Sequence, residues 1–250
     1  MKSLGIIPAR YDSTRFPGKA LFVIDGKSMI RRVYEQASRC RDLTKVIVAT
    51  DHEGILKHVR DFGGEAVMTA SRHKTGTDRC AEALGLVRAG EKEDFEVVVN
   101  IQGDEPYIFP EQISEVVHCF SNPSTVIATL ARKIVNPEDI TDPNVVKLVF
   151  DDHHRVLYFS RSSIPFLRNR SDGEKDQKIQ FFEHVGIYGF RNDLLKQVVQ
   201  LPESSLERAE SLEQLRWLQH GFQIFVHETE YESISIDTPS DLLKISKRKN

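Results

Sequence analysis

The chain has 250 residues, and 34 Lys and Arg against 37 Asp and Glu leave a formal net charge of −3 with His neutral. That length can bury about 70–75% of the unfolded surface, in one large domain or a domain with a satellite lobe. The near-neutral balance excludes a general nucleic-acid binder, which carries a strong basic excess, and no apolar run approaches the ~18 residues of a membrane helix.

Leu4 to Pro8 reads as a first strand, since proline is tolerated at a strand end but not in its interior. The loop after it carries Arg10, Arg15 and Lys19, broken by Pro17-Gly18. Cations delivered from the C-terminal end of a parallel strand suit an anionic ligand, Arg as a planar fork for phosphate oxygens and Lys as a compact charge. On charge alone, a solvated basic loop is the competing reading. Helical spacing of Met29, Ile30, Val33, Tyr34 and Ala37 follows, with Ser28 as N-cap. Lys45–Thr50 reads as a buried second strand, Glu53 to Phe62 as a helix stopped by Gly63-Gly64, and Glu65–Met68 as a third strand. Thr77–Ala89 is helical and Val97–Ile101 a central strand. Strands alternating with helices predict an α/β fold with a mostly parallel sheet covered on both faces.

From about residue 124 the pattern changes. Val126–Ala131, Val145–Phe150, Val156–Ser160 and Ile179–Phe190 are strand-like runs without long helices between them, which predicts a smaller β-rich lobe. The expected division is an α/β part over 1–123, a β-rich lobe over 124–200, and a C-terminal part over 201–250 that returns to the main domain. Residues 168–178 are charged and nearly devoid of large apolar side chains, so a mobile loop is expected there. Helical spacing returns from Leu206 to Leu218. Ser233–Ile236 reads as a strand, and Thr238-Pro239 as the start of a last helix. Cys40, Cys80 and Cys119 are odd in number and form no CxxC pair, so reduced thiols in the cytoplasm are expected. The first residues reach Pro8 and Arg10 too early for a signal-peptide core.

Several motifs can be dismissed. Gly26-Lys27-Ser28 mimics the end of a P-loop, but Leu21 stands where its upstream glycine is needed. No GxGxxG follows a strand, no GxSxG elbow occurs, and His52-Glu53 lacks a second His four residues after the first. Three signals remain. Gln102-Gly103-Asp104-Glu105-Pro106 follows the central strand, where a carboxylate can meet Mg²⁺ bound to phosphates. Asp237 follows the Ser233–Ile236 run, so Asp104 and Asp237 can converge on one sheet edge; a turn residue and a helix start are the plainer readings of the two. Thr75-Gly76-Thr77 opens a helix whose free N–H groups suit an anion or a base edge, with simple capping as the alternative.

These segments resemble the CMP-Kdo synthetase (3-deoxy-manno-octulosonate cytidylyltransferase) family along nearly the whole chain. The matching blocks are Ile7-Pro8-Ala9-Arg10-Tyr11-x-Ser13-Thr14-Arg15-x-Pro17-Gly18-Lys19, Val48-Ala49-Thr50-Asp51-His52, Gly76-Thr77-Asp78-Arg79 and Asn100-Ile101-Gln102-Gly103-Asp104-Glu105-Pro106. The second half adds Asn144-x-Val146-Lys147, Tyr158-Phe159-Ser160-Arg161, His184-Val185-Gly186-Ile187-Tyr188-Gly189, Leu212-Glu213-Gln214-Leu215-Arg216 and Asp237-Thr238-Pro239. The first block is shared with other sugar nucleotidyltransferases; the later ones are specific to enzymes of 2-keto sugars. The sequence departs from the commonest pattern at Ala20, where proline is usual, at Phe166, where an indole is frequent, and at Thr75, where serine is common. No charged group is lost.

The resemblance implies a nucleotide-diphospho-sugar transferase fold, CTP and an acidic 2-keto sugar as substrates, Mg²⁺ as cofactor, and a homodimer. By it, Arg10 and Lys19 hold the CTP phosphates, with Ser13 and Arg15 lining the same loop. Pro8, Ala9, Thr75, Gly76, Arg79 and Gln102 border the nucleotide, and Asp104 and Asp237 hold the metal. Arg10, Lys19 and Asp104 carry catalysis. Gln102, Arg161, His184, Tyr188, Glu213 and Gln214 receive the sugar. If Ile179–Phe190 is a strand, its period of two puts His184 and Tyr188 on one face, with Val185 and Ile187 on the other. Without the resemblance, His184 reads as a core histidine, Arg161 as a surface salt bridge, and Glu213 and Gln214 as the exposed face of an amphipathic helix. The competing functions are a cytidylyltransferase for sialic acid or an 8-amino form of the octulosonate, and a non-catalytic nucleotide-binding module.

Overall fold

The computed structural model describes residues 1–12, 16–91, 94–168, 179–236, 238 and 241. Strand β1 (Ser3–Ala9) is buried along nearly its whole length, as a parallel strand covered on both faces must be. A short ribbon of β2 (Val23–Ile24) and β3 (Lys27–Ser28) leads into α1 (Met29–Ala37). Ser28 Oγ accepts the Arg31 N–H at 3.3 Å, the expected N-cap. β4 (Lys45–Thr50), α2 (Glu53–Asp61), β5 (Ala66–Met68), α3 (Gly76–Glu91) and β6 (Val97–Asn100) follow in the alternation that the sequence predicts. After α4 (Pro110–His118) come β7 (Ile127–Lys133), α5 (Pro137–Thr141), β8 (Lys147–Phe150), β9 (Val156–Ser160) and β10 (Phe182–Arg191). Then come α6 (Asn192–Val198), α7 (Ser205–Glu210), α8 (Gln214–Gln219) and β11 (Ile224–Glu228).

Among the described residues nine strands join one sheet, its main path running β11-β7-β10-β6-β1-β4-β5. β6, β1, β4 and β5 are mutually parallel, and β11 is parallel to β7. β10 is antiparallel to both its neighbours. The strands of 124–200 thus extend the nucleotide-side sheet, and β8 and β9 project from it as a hairpin joined through Phe182 and Glu183. Helices cover both faces. One buried core holds Ile30, Val33, Ile55, Val59, Ile113 and Val116 of α1, α2 and α4. The other holds Cys80, Leu84 and Val87 of α3 with Leu215 and Trp217 of α8. Leu4 and Ile6 face the second core and Ile7 and Ala9 the first, the alternation that a strand buried on both sides requires.

Two expectations change. The helical spacing from Leu206 to Leu218 is two helices, because Ser211 adopts φ 52° between α7 and α8; the apolar periodicity continues across a backbone break that it does not register. The Arg216 guanidinium clamps the two together, donating to both oxygens of Glu207 at 2.6 and 2.7 Å. Ser233–Ile236 is not a strand; Ile236 is buried in a small satellite core with Ile24 and Met29, which explains its apolar residues without a sheet. The charged stretch 168–178 lies outside the described residues from 169 onward, as does the Pro239 expected to start a last helix.

Candidate active site

The turn after β1 and the turn after β6 are forced close together. A Cβ on Gly103 would stand 2.8 Å from the Pro8 carbonyl oxygen, so only glycine lets the Gln102-Gly103-Asp104 turn cross the end of β1 at this distance. On the other side, Gly18 takes φ 69° and donates its N–H to the Tyr11 carbonyl, which starts the short 3₁₀ turn Lys19–Leu21. Ala20 is buried beneath that turn, and Lys19 is thereby aimed at β6. Its Nζ lies 2.7 Å from Asp104 Oδ2, with the two side chains 15% and 26% exposed, so both remain open to a ligand.

Around this pair runs a cleft of about 280 Å³, just under the roughly 300 Å³ at which small-molecule sites usually begin. Pro8, Ala9, Arg10 and Lys19 form one wall, Gln102, Gly103 and Asp104 another, and Thr75, Gly76 and Arg79 a third. The structure therefore brings together every described residue expected at the nucleotide. It adds Ala20, His73 and Lys74 to the lining, and Lys74 supplies a further cation. Ser13, Arg15 and Asp237 lie outside the described residues. The chain leading to Asp237 is nonetheless tied to this site, since Ile236 donates its N–H to the Asp104 carbonyl at 2.9 Å.

The third wall is the start of α3. Thr75 Oγ1 accepts the Asp78 N–H at 3.1 Å, and Asp78 Oδ2 accepts the Thr75 N–H at 3.3 Å, a reciprocal cap that fixes this terminus against the cleft. Arg79 is 3% exposed, and its guanidinium donates to Asp51 Oδ2 at 2.7 Å and Thr69 Oγ1 at 2.6 Å. It thus braces the ends of β4 and β5 against α3 while bordering the cleft. Neighbouring His52 caps α2 through Nδ1 and stacks on Tyr11 with centroids 4.1 Å apart.

His184 and Tyr188 lie on one face of β10, with centroids 5.2 Å apart, and Val185 and Ile187 enter the opposite core. This holds although β10 shifts register against β7 between Val185 and Tyr188. Thr129 Oγ1 donates to the Ile187 carbonyl at 2.8 Å and stands 3.0 Å from His184 Nε2. Burial lowers the His184 pKa to about 3, so the ring is neutral. Tyr188 packs edge-on against Trp217 at 5.0 Å. Burial, reinforced by the Glu213 charge, pushes the Tyr188 phenol well above its ordinary value. The Tyr188 hydroxyl, Trp217 Nε1 and Asn100 Oδ1 are buried without a hydrogen-bond partner among the described residues. Orphaned polar groups of this kind are costly unless a polar ligand or water meets them. Asn100 and Trp217 were not singled out by the sequence reading.

Glu213 joins the two regions: its Oε2 accepts the Thr77 hydroxyl at 2.9 Å, one turn from the cleft. Gln214 is buried at the first position of α8. Burial raises the Glu213 carboxyl from 4.5 to about 7, against the pull of the Thr77 and Thr75 hydroxyls. The unfolded chain loses this proton near its ordinary pKa, whereas the folded chain keeps it until near 7, so folding stability falls as pH rises through that window. At about 1.4 kcal/mol per pKa unit, the penalty above the window is at most about 3.5 kcal/mol. Glu213→Gln is expected to flatten the decline of melting temperature between these two pH values; an unchanged pH profile would contradict the assignment.

Arg161 stands apart from the cleft. Its guanidinium donates to the carbonyls of Glu210 at 2.7 Å and Pro143 at 2.9 Å, with that of Ser211 at 3.5 Å. Lys147, fully buried, donates to the carbonyls of Asp142, Val145 and Arg161. The two cations knit the 142–145 turn, β9 and the α7 end into one unit. Arg161→Ala is therefore expected to destabilise the fold by about 1–3 kcal/mol, in addition to any rise in KM for a sugar acid. Thermal melts decide this: an unshifted midpoint would mean that these carbonyls do not hold the guanidinium in solution.

A family model described as Cytidylyltransferase matches residues 4–231. A protein of Parabacteroides distasonis named 3-deoxy-manno-octulosonate cytidylyltransferase is 48% identical over 248 residues, 98% of this chain and 96% of its own. One of the same name from Phocaeicola vulgatus is 50% identical over 248 residues, with the same coverage. Among solved structures, a CMP:2-keto-3-deoxy-manno-octonic acid synthetase complexed with CTP superposes with a TM-score of 0.90 at 39% identity, covering 100% of this chain and 98% of that one. A 4-diphosphocytidyl-2C-methyl-D-erythritol synthase from Anaerococcus prevotii, at 16% identity and a TM-score of 0.62, shares the fold.

Proposed function

The chain belongs to the cytidylyltransferase family and, within it, to the 3-deoxy-manno-octulosonate cytidylyltransferases; from that membership we propose that it joins the CMP moiety of CTP to 3-deoxy-manno-octulosonate, releasing pyrophosphate. The observation that carries this reading is the cleft lined by Arg10, just after β1, and by Lys19, in the turn that follows, whose ammonium meets Asp104 just after β6. Opposed charges that remain partly open suit a ligand that brings both anionic phosphates and a cation.

The anomeric 2-hydroxyl of the sugar acid attacks the α-phosphorus in line. A new O–P bond forms as the bond to the bridging β-phosphate oxygen breaks, pyrophosphate carries away the electron pair, and the hydroxyl proton passes to bulk water. Negative charge grows on the α-phosphate oxygens and on the leaving group, so positioning and electrostatics dominate. Arg10, Lys19 and Lys74 neutralise the triphosphate, while the N-terminus of α3 at Thr75 and Gly76 meets the nucleoside. The neutral His184, Tyr188, Glu213 and the orphaned polar atoms beside them offer donors and acceptors to sugar hydroxyls. Gln102 stands between the two substrates.

Asp104 supplies a hard oxygen donor on the cleft wall, which fits Mg²⁺, an ion usually held by one or two carboxylates and the substrate phosphates. With Asp237 it forms the proposed metal-binding pair. Bound there, Mg²⁺ would polarise the α-phosphate and favour ionisation of the attacking hydroxyl.

A homodimer is part of the proposal. Val135 and Phe166 are each 84% exposed, and Phe166 borders an apolar groove lined by Pro137, Ile140, Leu167 and Phe181. A second copy of the chain is the occupant we assign to it. Phe166→Asp is expected to convert the dimer to a monomer in light-scattering measurements, and a wild-type monomer would refute the assignment.

The deciding experiment for the function is pyrophosphate release from CTP and Mg²⁺ with 3-deoxy-manno-octulosonate, its 8-amino analogue and sialic acid in parallel. Turnover fastest with the first is expected. Turnover with only another sugar would reassign the substrate, and CTP binding without turnover on any would leave a nucleotide-binding module.

A further inference from the structure

The stretch 229–236 has neither helix nor strand, yet it leads straight into Asp237. Thr229 donates its N–H to the Ala131 carbonyl at 2.8 Å, and Gln112 Nε2 reaches the Tyr231 carbonyl at 3.4 Å. Its last two ties fall on consecutive residues of the turn after β6. Ser233 Oγ donates to the Glu105 carboxylate, and Ile236 donates its N–H to the Asp104 carbonyl. Glu105 is 5% exposed, an unusual setting for a carboxylate. Its Oε1 lies 3.5 Å from where a Cβ on Gly186 would stand, so it also packs on β10 where that strand shifts register before Tyr188. This side chain therefore touches the C-terminal stretch and the sugar-side strand while sharing a backbone turn with Asp104.

We propose that Glu105 is a positioning residue for metal binding: its buried carboxyl, clasped to Ser233, fixes the stretch 233–236 on the Asp104 turn and so sets where the Asp104 carboxylate stands. The inference rests on the metal-dependent reading above. A buried side chain with one hydroxyl partner among the described residues and ordinary contact with Gly186 can be replaced by Gln, which keeps shape and hydrogen bonding, but not by Leu, which leaves Ser233 without that partner.

The test is Mn²⁺ binding to the CTP-saturated protein without sugar, read by electron paramagnetic resonance, beside the Mg²⁺ dependence of turnover and thermal melts. Glu105→Leu and Ser233→Ala are expected to weaken Mn²⁺ binding at least about fivefold. The Mg²⁺ needed for half-maximal rate should rise in parallel, with kcat at saturating Mg²⁺ within about twofold of wild type, and Glu105→Gln should restore binding. Should Glu105→Leu fail to fold, Ser233→Ala carries the test alone. Mn²⁺ affinity within about twofold of wild type in a folded Ser233→Ala or Glu105→Leu protein overturns the proposal, as does a fall in kcat without a change in metal affinity. Asp104→Ala separates the two levels: if it too leaves Mn²⁺ binding intact, the metal assignment itself is wrong, whereas loss in Asp104→Ala alone removes only the clasp.

Discussion

Asp104→Ala is expected to keep its fold and lose on the order of 10²–10³ in kcat, the usual consequence of removing one preorganised charge from a site of charge transfer. The carboxylate sits on the cleft wall, 26% exposed and 2.7 Å from Lys19. Ion pairs with this much solvent contact contribute roughly 0–1 kcal/mol to folding, so the melting temperature should barely move. The turn is held by other groups, namely the Ile236 N–H on the Asp104 carbonyl and the close seat of Gly103 on Pro8. Those are main-chain features and survive the substitution. Asp104→Asn retains size and an oxygen for Lys19 but removes the charge, and it should lose nearly as much turnover as alanine. Near-normal kcat in either variant, measured at saturating CTP, sugar and Mg²⁺, would remove Asp104 from the chemistry.

The first 120 residues were legible because local signals suffice there. An apolar run that ends in Pro8, an N-cap at Ser28 and paired glycines after α2 each mark one boundary with a short-range cause. The cleft followed from the same logic, since parallel strands deliver their loops to one edge and Lys19 and Asp104 come from two such loops. The second half depended on contacts distant in sequence. Nothing local in the β10 run says that it inserts antiparallel between β6 and β7, or that β8 and β9 hang from its start. A left-handed residue at Ser211 interrupts an apolar period that reads as continuous. Ile234 and Ile236 look like strand residues because they are packed, but they pack on Ile24, Met29 and Tyr107 instead of pairing. Within the Gln102–Pro106 block the sequence assigns Glu105 no role of its own, and only the fold reveals its buried contact with Ser233. Arg161 has a fork that suits a carboxylate, and only the fold shows that it also donates to the backbone carbonyls of Glu210 and Pro143.

Lys19→Ala should cost a similar factor, on the order of 10²–10³ in kcat, with a further rise in KM for CTP. The Lys19 ammonium lies against Asp104; a triphosphate and its cation would draw the lysine to phosphate oxygens and the aspartate to the metal. The left-handed Gly18 and the buried Ala20 hold the turn that carries it. Lys19→Arg preserves the charge but replaces a compact ammonium by a wide planar fork in a tight turn, so only partial recovery is expected. Because Lys19 and Asp104 act on the same phosphate charge, their losses should not multiply. The Lys19→Ala, Asp104→Ala double variant is expected to be little worse than the poorer single one, as for groups that work as a unit. Fully multiplicative losses in single-turnover measurements would mean that the two residues act at separate steps, and their 2.7 Å contact would then be a resting-state pair without a shared role in transfer.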